Sequence, residues 1–394
     1  MPASFSTGRS QEQQTSVAAQ AAATEARSGL RGAPARLVLV FAGPKHDLSE
    51  ALATTTRLFP DANVAGCSTA GEFTGEGLTH NGLVVAALAS ADLQLLSTMA
   101  ETVGKDPLQA AETLTTGFAA ALAAARQAGL PFSAVLTLVD GLNGKGERLV
   151  NAIAERADNG ARILGGAAGD EGTFKQTRVG LDGRVAADAA VGISIFGRNP
   201  IGIGMRHGLT PSTKRMPVSR ADGNIIYEID GRPAFEIYRD HAHANGVELT
   251  PQNAGPYMIT YELGIYLFGE LWEARAPLSV NPDGSLMCAG DLSRGQQVCI
   301  LEGAPAPMIA AAREAAREAR EGLRGAKPAG VLVFDCICRG ILLKEAFDQE
   351  IAAIRNEIGD VPIAGFLTYG EIARYGGSSN GWHNTTAVVV AIPA

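Results

Sequence analysis

Threonine, glycine and glutamate recur at one spacing near both ends of the chain: residues 66–72 read GCSTAGE and residues 365–371 read GFLTYGE. Each G-x-x-T-x-G-E copy follows a short apolar run. A hydroxyl and a carboxylate are thereby delivered straight after a strand, among glycines that let a ligand approach the backbone. Upstream of the second copy, CICRG (336–340) supplies two thiols and a guanidinium. Set opposite TYGE (368–371), it places Cys336 and Arg339 against Thr368, Tyr369 and Glu371, with Asn384 of the HNTT stretch (383–386) beside them. In the first copy Lys45 and His46 are expected to face Ser68, Thr69 and Glu72. In a third, more divergent stretch, ARILGGAAGD (161–170), Asp140 and Asn143 are expected to face Asp170. A cation and an anion held close together suit a zwitterion or another polar small molecule, with Arg339 and Glu371 clamping opposite charges. Cys336 also has nucleophile potential, because a neighbouring guanidinium lowers a thiol pKa, with His383 as the histidine available as its base. The plainer reading is that the glycines only permit tight strand-to-loop packing, that Glu72 and Glu371 accept backbone N–H bonds, and that Arg339 pairs structurally.

The elements that must position these residues repeat. ARLVLVFAG (35–43) reads as a buried strand, followed by a helix opened by the capping sequence Asp47-Leu48-Ser49-Glu50 and then by the GCSTAGE loop and the strand NGLVVAALAS (81–90). SAVLTLVDGLNG (133–144), a helix over 146–158, ARILGGAAGD and a hairpin around Asp182-Gly183 follow the same order. AGVLVFDCICRG (329–340) reads as strand and loop. A helix with Phe347, Ile351, Ile354 and Ile358 on one face, closed by Gly359, then leads to PIAGFLTYGE and HNTTAVVVAI. The units begin near Arg36, Ser133 and Ala329, so the second interval is about twice the first. Strand–helix–strand crossovers make each strand pair parallel and bring both post-strand loops to one sheet edge, where open α/β folds bind ligands. Between the second and third units, 215–300 reads as antiparallel sheet, including PYMITYELGIYLFGELW, with one short helix after Pro233. The segment 305–323 reads as a solvated surface helix with a weak alanine face.

The chain has 394 residues, enough for two or three domains, with 46% hydrophobic and 6% aromatic residues and a formal charge of −8. An acidic chain without a basic, aromatic-interleaved cluster is not expected to bind nucleic acid. No apolar run approaches bilayer-spanning length and the N-terminus lacks the order of a secretory signal, so a cytoplasmic location is expected. Five cysteines (67, 288, 299, 336 and 338) without framework spacing imply reduced thiols. Residues 1–33, rich in Ala, Ser, Thr and Gln, are expected to form a disordered tail. Phosphate-loop, dinucleotide, zincin and nucleophile-elbow motifs are absent.

GCSTAGE, DGLNG with ILGGAAGD, DGRPAFEIY (230–238), FDCICRG and GFLTYGEI with HNTT together resemble the FIST family. The resemblance implies a mixed α/β fold of repeated β-α-β-β units flanked by helices, with a FIST N domain over 34–220 and a FIST C domain over 221–394. It also implies a non-enzymatic sensor of bacterial signal transduction that binds a small, amino-acid-like ligand and signals to a separate partner such as a histidine kinase. A subset of the family resembles haem-based nitric-oxide sensors. In that variant an axial ligand comes from histidines 46, 80, 207, 241, 243 and 383, with His207 the first choice and the 241/243 pair next.

Overall fold

The computed structural model describes residues 3–269, 271–374 and 381–394. Three copies of one α/β unit surround a common apolar core. The first comprises the strand Ser4–Ser10, helix Thr15–Gly29, strand Leu37–Ala42, helix Leu48–Leu58, strand Asn63–Ser68, a hairpin of Glu72–Thr74 and Gly77–Thr79, and the strand Leu83–Ala89. The second repeats this order from Leu93–Glu101 to Ala189–Gly197, with two short helices, Pro107–Leu114 and Phe118–Gln127, where the first unit has one. The third runs from Gly202–Arg206 to Ala387–Pro393. In each unit the crossover pair is parallel, with Leu37, Ala134 and Val331 opposite Asn63, Arg162 and Ile363. Asp47 caps its helix as the sequence indicates, accepting from the Glu50 amide at 2.8 Å.

The hairpins are exchanged cyclically. That of the first unit completes the third sheet, with Glu72 opposite Phe366. That of the second completes the first sheet (Val179 opposite Cys67), and that of the third completes the second (Glu371 opposite Gly166). Each sheet thus has six strands in the same order. The inner faces meet in one core that includes Leu39, Phe41, Leu136, Phe334 and Phe366, with the Phe41 and Phe366 rings 4.8 Å apart. The outer faces pack on helices. Burial on both faces explains why these strands read as continuous apolar runs rather than alternating ones.

The expected tail is ordered. Ser4–Ser10 pairs antiparallel with Leu83–Ala89, and Ala18, Ala19, Ala22, Ala23 and Ala26 of the following helix are fully buried. Composition misleads here because the packing is backbone to backbone: a Cβ on Gly8 would lie 2.1 Å from the Ala22 carbonyl oxygen, so small residues are what allow the approach. The helix Pro305–Gly322 likewise buries Ala311, Ala312, Ala315, Ala316 and Ala319, and is not merely solvated.

The doubled spacing between the second and third units has a simple cause. An inserted nine-stranded antiparallel sheet lies between the third unit's first strand and its first helix, with its own core around Tyr238, Met258 and Ile300. It carries a second helix, Ala254–Thr260, where PYMIT reads as strand, besides the expected Ala234–Ala244. Residues Ile337–Leu343, expected as loop, form a short helix. Among the described residues no helix is long and apolar enough to cross a membrane.

Phe5, 6% exposed, reaches the central core from the first strand. Phe5→Ala should cost about 3–5 kcal/mol in urea unfolding, whereas a disordered tail would leave the midpoint unchanged.

Candidate functional site

The loops that follow the second parallel strand of each unit meet at one end of the molecule, each bonding to the next unit round the ring. Ala70 N donates to Leu367 O (3.0 Å), Gly169 N to Ser68 O (3.0 Å) and Tyr369 N to Ala167 O (3.2 Å). All are at carboxyl ends of parallel strands, as the crossover argument requires.

Within this ring the repeated motif is a strand closure. The Thr69 hydroxyl donates to Glu72 (2.8 Å), and Glu72 accepts the amide of Gly82, the residue before the unit's last strand (2.6 Å). The Thr368 hydroxyl donates to Glu371 (2.6 Å), which accepts the equivalent amide of Thr386 (3.0 Å). Gly71 sits at φ +135°, and a Cβ on Gly370 would meet the Trp382 ring at 2.2 Å, so both copies need their second glycine. The second unit lacks the threonine and uses Asp140 instead, which accepts from the Asp188 amide, the Thr177 hydroxyl and the Leu142 amide. Thr69, Glu72, Thr368 and Glu371 are completely buried. Burial pushes Glu72 up to about 7 and Glu371 well above the carboxylate range.

The expected clamp between Arg339 and Glu371 does not form. Arg339 is 0% exposed, and all five of its N–H groups are used inside the protein. Nε and Nη2 donate to Glu350 (3.2 and 2.6 Å), Nη1 to the carbonyls of His207 (2.7 Å) and Thr385 (3.3 Å), and Nη2 also to the Met308 carbonyl (3.0 Å). Asp335 Oδ1 is 2.9 Å from Nε. Burial and the neighbouring Glu350 charge push the Asp335 carboxyl well above its ordinary range. The inserted sheet lies over this unit: Glu262 accepts from the Thr385 hydroxyl, Asn384 Oδ1 accepts from Ala276 N (3.4 Å), and Trp382 Nε1 donates to Ala289 O (3.0 Å). Cys336 is 4% exposed, and its hydrogen bond with Cys338 together with burial raises its thiol pKa far above the usual range, the reverse of an activated thiolate. His383 gives Nε2 to the Ala373 carbonyl (2.9 Å) and serves no thiol.

The other expected groupings are met only in part. His46 bonds to Thr15, not to the Glu72 loop, whereas Asp140 and Asp170 converge on one segment, Asp140 accepting from the Thr177 hydroxyl and Asp170 from the Phe174, Lys175 and Gln176 amides. His207, the expected haem ligand, has Nε2 on the Trp272 carbonyl (3.0 Å) and Nδ1 accepting from the Leu209 amide (2.9 Å). Both ring nitrogens are engaged, so this histidine does not fit a haem iron.

The loops of the second unit stay open, as does the Lys45 loop of the first. Tyr369, half-buried, leaves its own unit and enters the second: its hydroxyl donates to Asp170 and accepts from Gly172 N (2.9 Å), and its ring stacks at 4.6 Å on Phe174, which is 55% exposed. Burial opposes ionisation of Asp170, but the Tyr369 hydroxyl, the amides of Lys175 and Gln176 and the Thr173 hydroxyl hold its carboxyl below the ordinary range. Leu142 is 38% exposed beside Gly141, whose Cβ would lie 3.0 Å from the Tyr369 side chain. Asn143 Oδ1 accepts from the Lys145 amide (2.8 Å), while its buried Nδ2 has no hydrogen-bond partner among the described residues. Glu171, three residues before Phe174, accepts from Asn81 N (2.9 Å), and Asn81 packs on Gly43, two residues before the exposed Lys45. Phe174 and Leu142 were not singled out by sequence reasoning. The available signal was a large apolar residue inside a glycine-rich polar loop.

Arg339→Ala should lose about 3–5 kcal/mol of stability, because it strands Glu350 as an unpaired buried charge; urea unfolding measures this. Burial raises Glu72 to about 7 and Glu262 to about 8 from an ordinary 4.5, so folding takes up protons. Stability is then fullest below about pH 4.5 for these two groups and falls as pH rises through 7 and 8. Glu72→Gln should flatten that fall by up to about 1.4 kcal/mol per pH unit between about pH 5 and 7 in urea titrations.

Residues 36–232 match the FIST N domain and residues 234–374 the FIST C domain, the boundary falling inside the inserted sheet. An uncharacterized protein of Mycobacterium tuberculosis is 25% identical over 236 residues, 58% of this chain and 60% of that protein. An uncharacterized protein of Mycobacterium bovis is 27% identical over 241 residues, 58% of this chain and 59% of that protein. The chain spans about three fifths of the length of these curated relatives. A solved structure of cyanuric acid hydrolase covers both chains in full at 12% identity and a TM-score of 0.33, a likeness that carries no argument. With both domains matched in order over most of its length, the chain belongs to the FIST family.

Proposed function

We propose that this chain is a sensory binding module whose ligand is a small amino acid with an aromatic or apolar side chain, held at the open loops of the first two units. FIST domains are associated with sensing in signal transduction. The observation that carries the reading is the half-exposed stack of Phe174 on Tyr369 at the point where the three loops meet. An aromatic platform binds an apolar side chain. Beneath the stack the buried Nδ2 of Asn143 is a donor unused among the described residues, Lys45 is the exposed charge at the rim, and Glu171 is held there by His80 and the Asn81 amide. The reading is of binding rather than turnover, since the carboxylates and thiols at this end are buried and engaged. Tyr369 links units two and three, so a ligand on the stack bears on both. A separate partner such as a histidine kinase would read the change.

The test is calorimetric titration of the twenty amino acids into the full chain. An aromatic amino acid should bind and, at a hundredfold excess over its Kd, stabilise the protein by about 2.7 kcal/mol. Phe174→Ala should weaken that binding at least tenfold with the unliganded melting temperature unchanged. Binding of no amino acid, or undiminished binding to Phe174→Ala, would refute the proposal.

A further inference from the structure

The inserted sheet brings together a serine, a histidine and two tyrosines that the loop-end reading does not use. Ser212 follows the strand Thr210–Pro211, His241 lies on the helix Ala234–Ala244, Tyr257 on the helix Ala254–Thr260, and Tyr261 opens the next strand. Ser212 Oγ is 2.8 Å from His241 Nε2, and Tyr257 Oη is 2.8 Å from Nδ1.

The donors around the ring assign its tautomer. Asn245 Nδ2 donates to the His241 carbonyl (2.9 Å), which fixes the amide orientation, and the same nitrogen approaches Nε2 at 3.5 Å. An amide nitrogen only donates, so Nε2 carries the lone pair and Nδ1 carries the proton, given to Tyr257 Oη. Nε2 therefore accepts from the Ser212 hydroxyl. Tyr261 packs edge-on against the ring at 4.8 Å. Ser212 is exposed while His241 is buried beneath it, so the hydroxyl faces solvent over a held base. Glu302, opposite both Tyr261 and Thr210 in register, is the charged group that faces the ring from the neighbouring strand. Its negative charge favours the imidazolium that forms when Nε2 takes a proton. A nucleophile at hydrogen-bond distance from a base that a third group orients is the arrangement of an activated serine.

We propose that Ser212 is a nucleophile activated by His241 that takes the acyl group of small carboxylic esters, with the exposed Lys214 and Arg215 favouring acidic ones. The Ser212 oxygen bonds to the ester carbonyl carbon as its proton passes to Nε2. The ester C–O bond then breaks, the leaving alcohol takes that proton from Nε2, and an acyl ester remains on Ser212. Burial lowers the His241 pKa below its ordinary 6.5 against the opposing pull of Glu302, so the base is free at neutral pH.

The experiment incubates the full chain with p-nitrophenyl acetate and follows nitrophenolate release and the intact mass, with peptide mapping of the acetyl group. One acetyl on Ser212 is expected, at a rate that rises with pH below 6.5 and is level above pH 7.5. Ser212→Ala should abolish it, and His241→Ala should slow it at least about a hundredfold. Added imidazole should restore labelling of His241→Ala, which separates loss of the base from loss of the fold. Acetyl on lysines alone, or labelling of Ser212 that is as fast in His241→Ala as in the unaltered protein, overturns the proposal.

Discussion

The guanidinium of Arg339 ties five distant pieces of backbone and side chain to one buried point. It reaches the residue where the chain leaves the third unit for the inserted sheet, the first turn of the helix by which it returns, the turn before the last strand, the helix carrying Glu350 and the end of the first parallel strand. An arginine can do this and a lysine cannot, because its planar fork presents five donors in fixed directions. A charge with this degree of burial persists only when its partners are complete. Arg339 therefore pins both ends of the insertion, through His207 just before it and Met308 just after it.

The insertion breaks the equivalence of three similar units. Cyclic exchange of hairpins makes each sheet depend on the next unit, and leaves no unit with a complete sheet of its own. The closure of each last strand by a carboxylate follows the same logic in all three, with Asp140 substituting where the threonine is missing. The inserted sheet then covers the loops of the third unit, and not those carrying Lys45, Leu142 and Phe174. The result is an asymmetric ring: one sealed loop set rich in buried acids and thiols, from which Tyr369 reaches across to the open loop of the second unit.

Much of the scaffold was legible locally. Crossover pairs, the Asp47 cap, the hairpin at Asp182 and the helix ended by Gly359 all follow from periodicity and turn chemistry within short windows. Misreadings arose where small residues act through close approach. The alanine-rich N-terminal segment has little apolar area to bury, yet it packs because Gly8 and the alanines remove the Cβ atoms that would hold backbone apart. At the candidate site, residue chemistry selected loops that do gather at one end of the sheets, but Glu72, Arg339, Cys336 and Glu371 are buried there and bond within the protein.

By itself the sequence determined the three strand–helix–strand units, their parallel pairs and the end of the sheets at which their loops gather, because backbone propensity, apolar period and capping are short-range properties. Only the tertiary structure decided which loop residues face solvent. That depends on the inserted sheet, Thr210 to Glu302, and on hairpins paired across units, contacts whose cost and gain are set by distant partners rather than by neighbours in the chain.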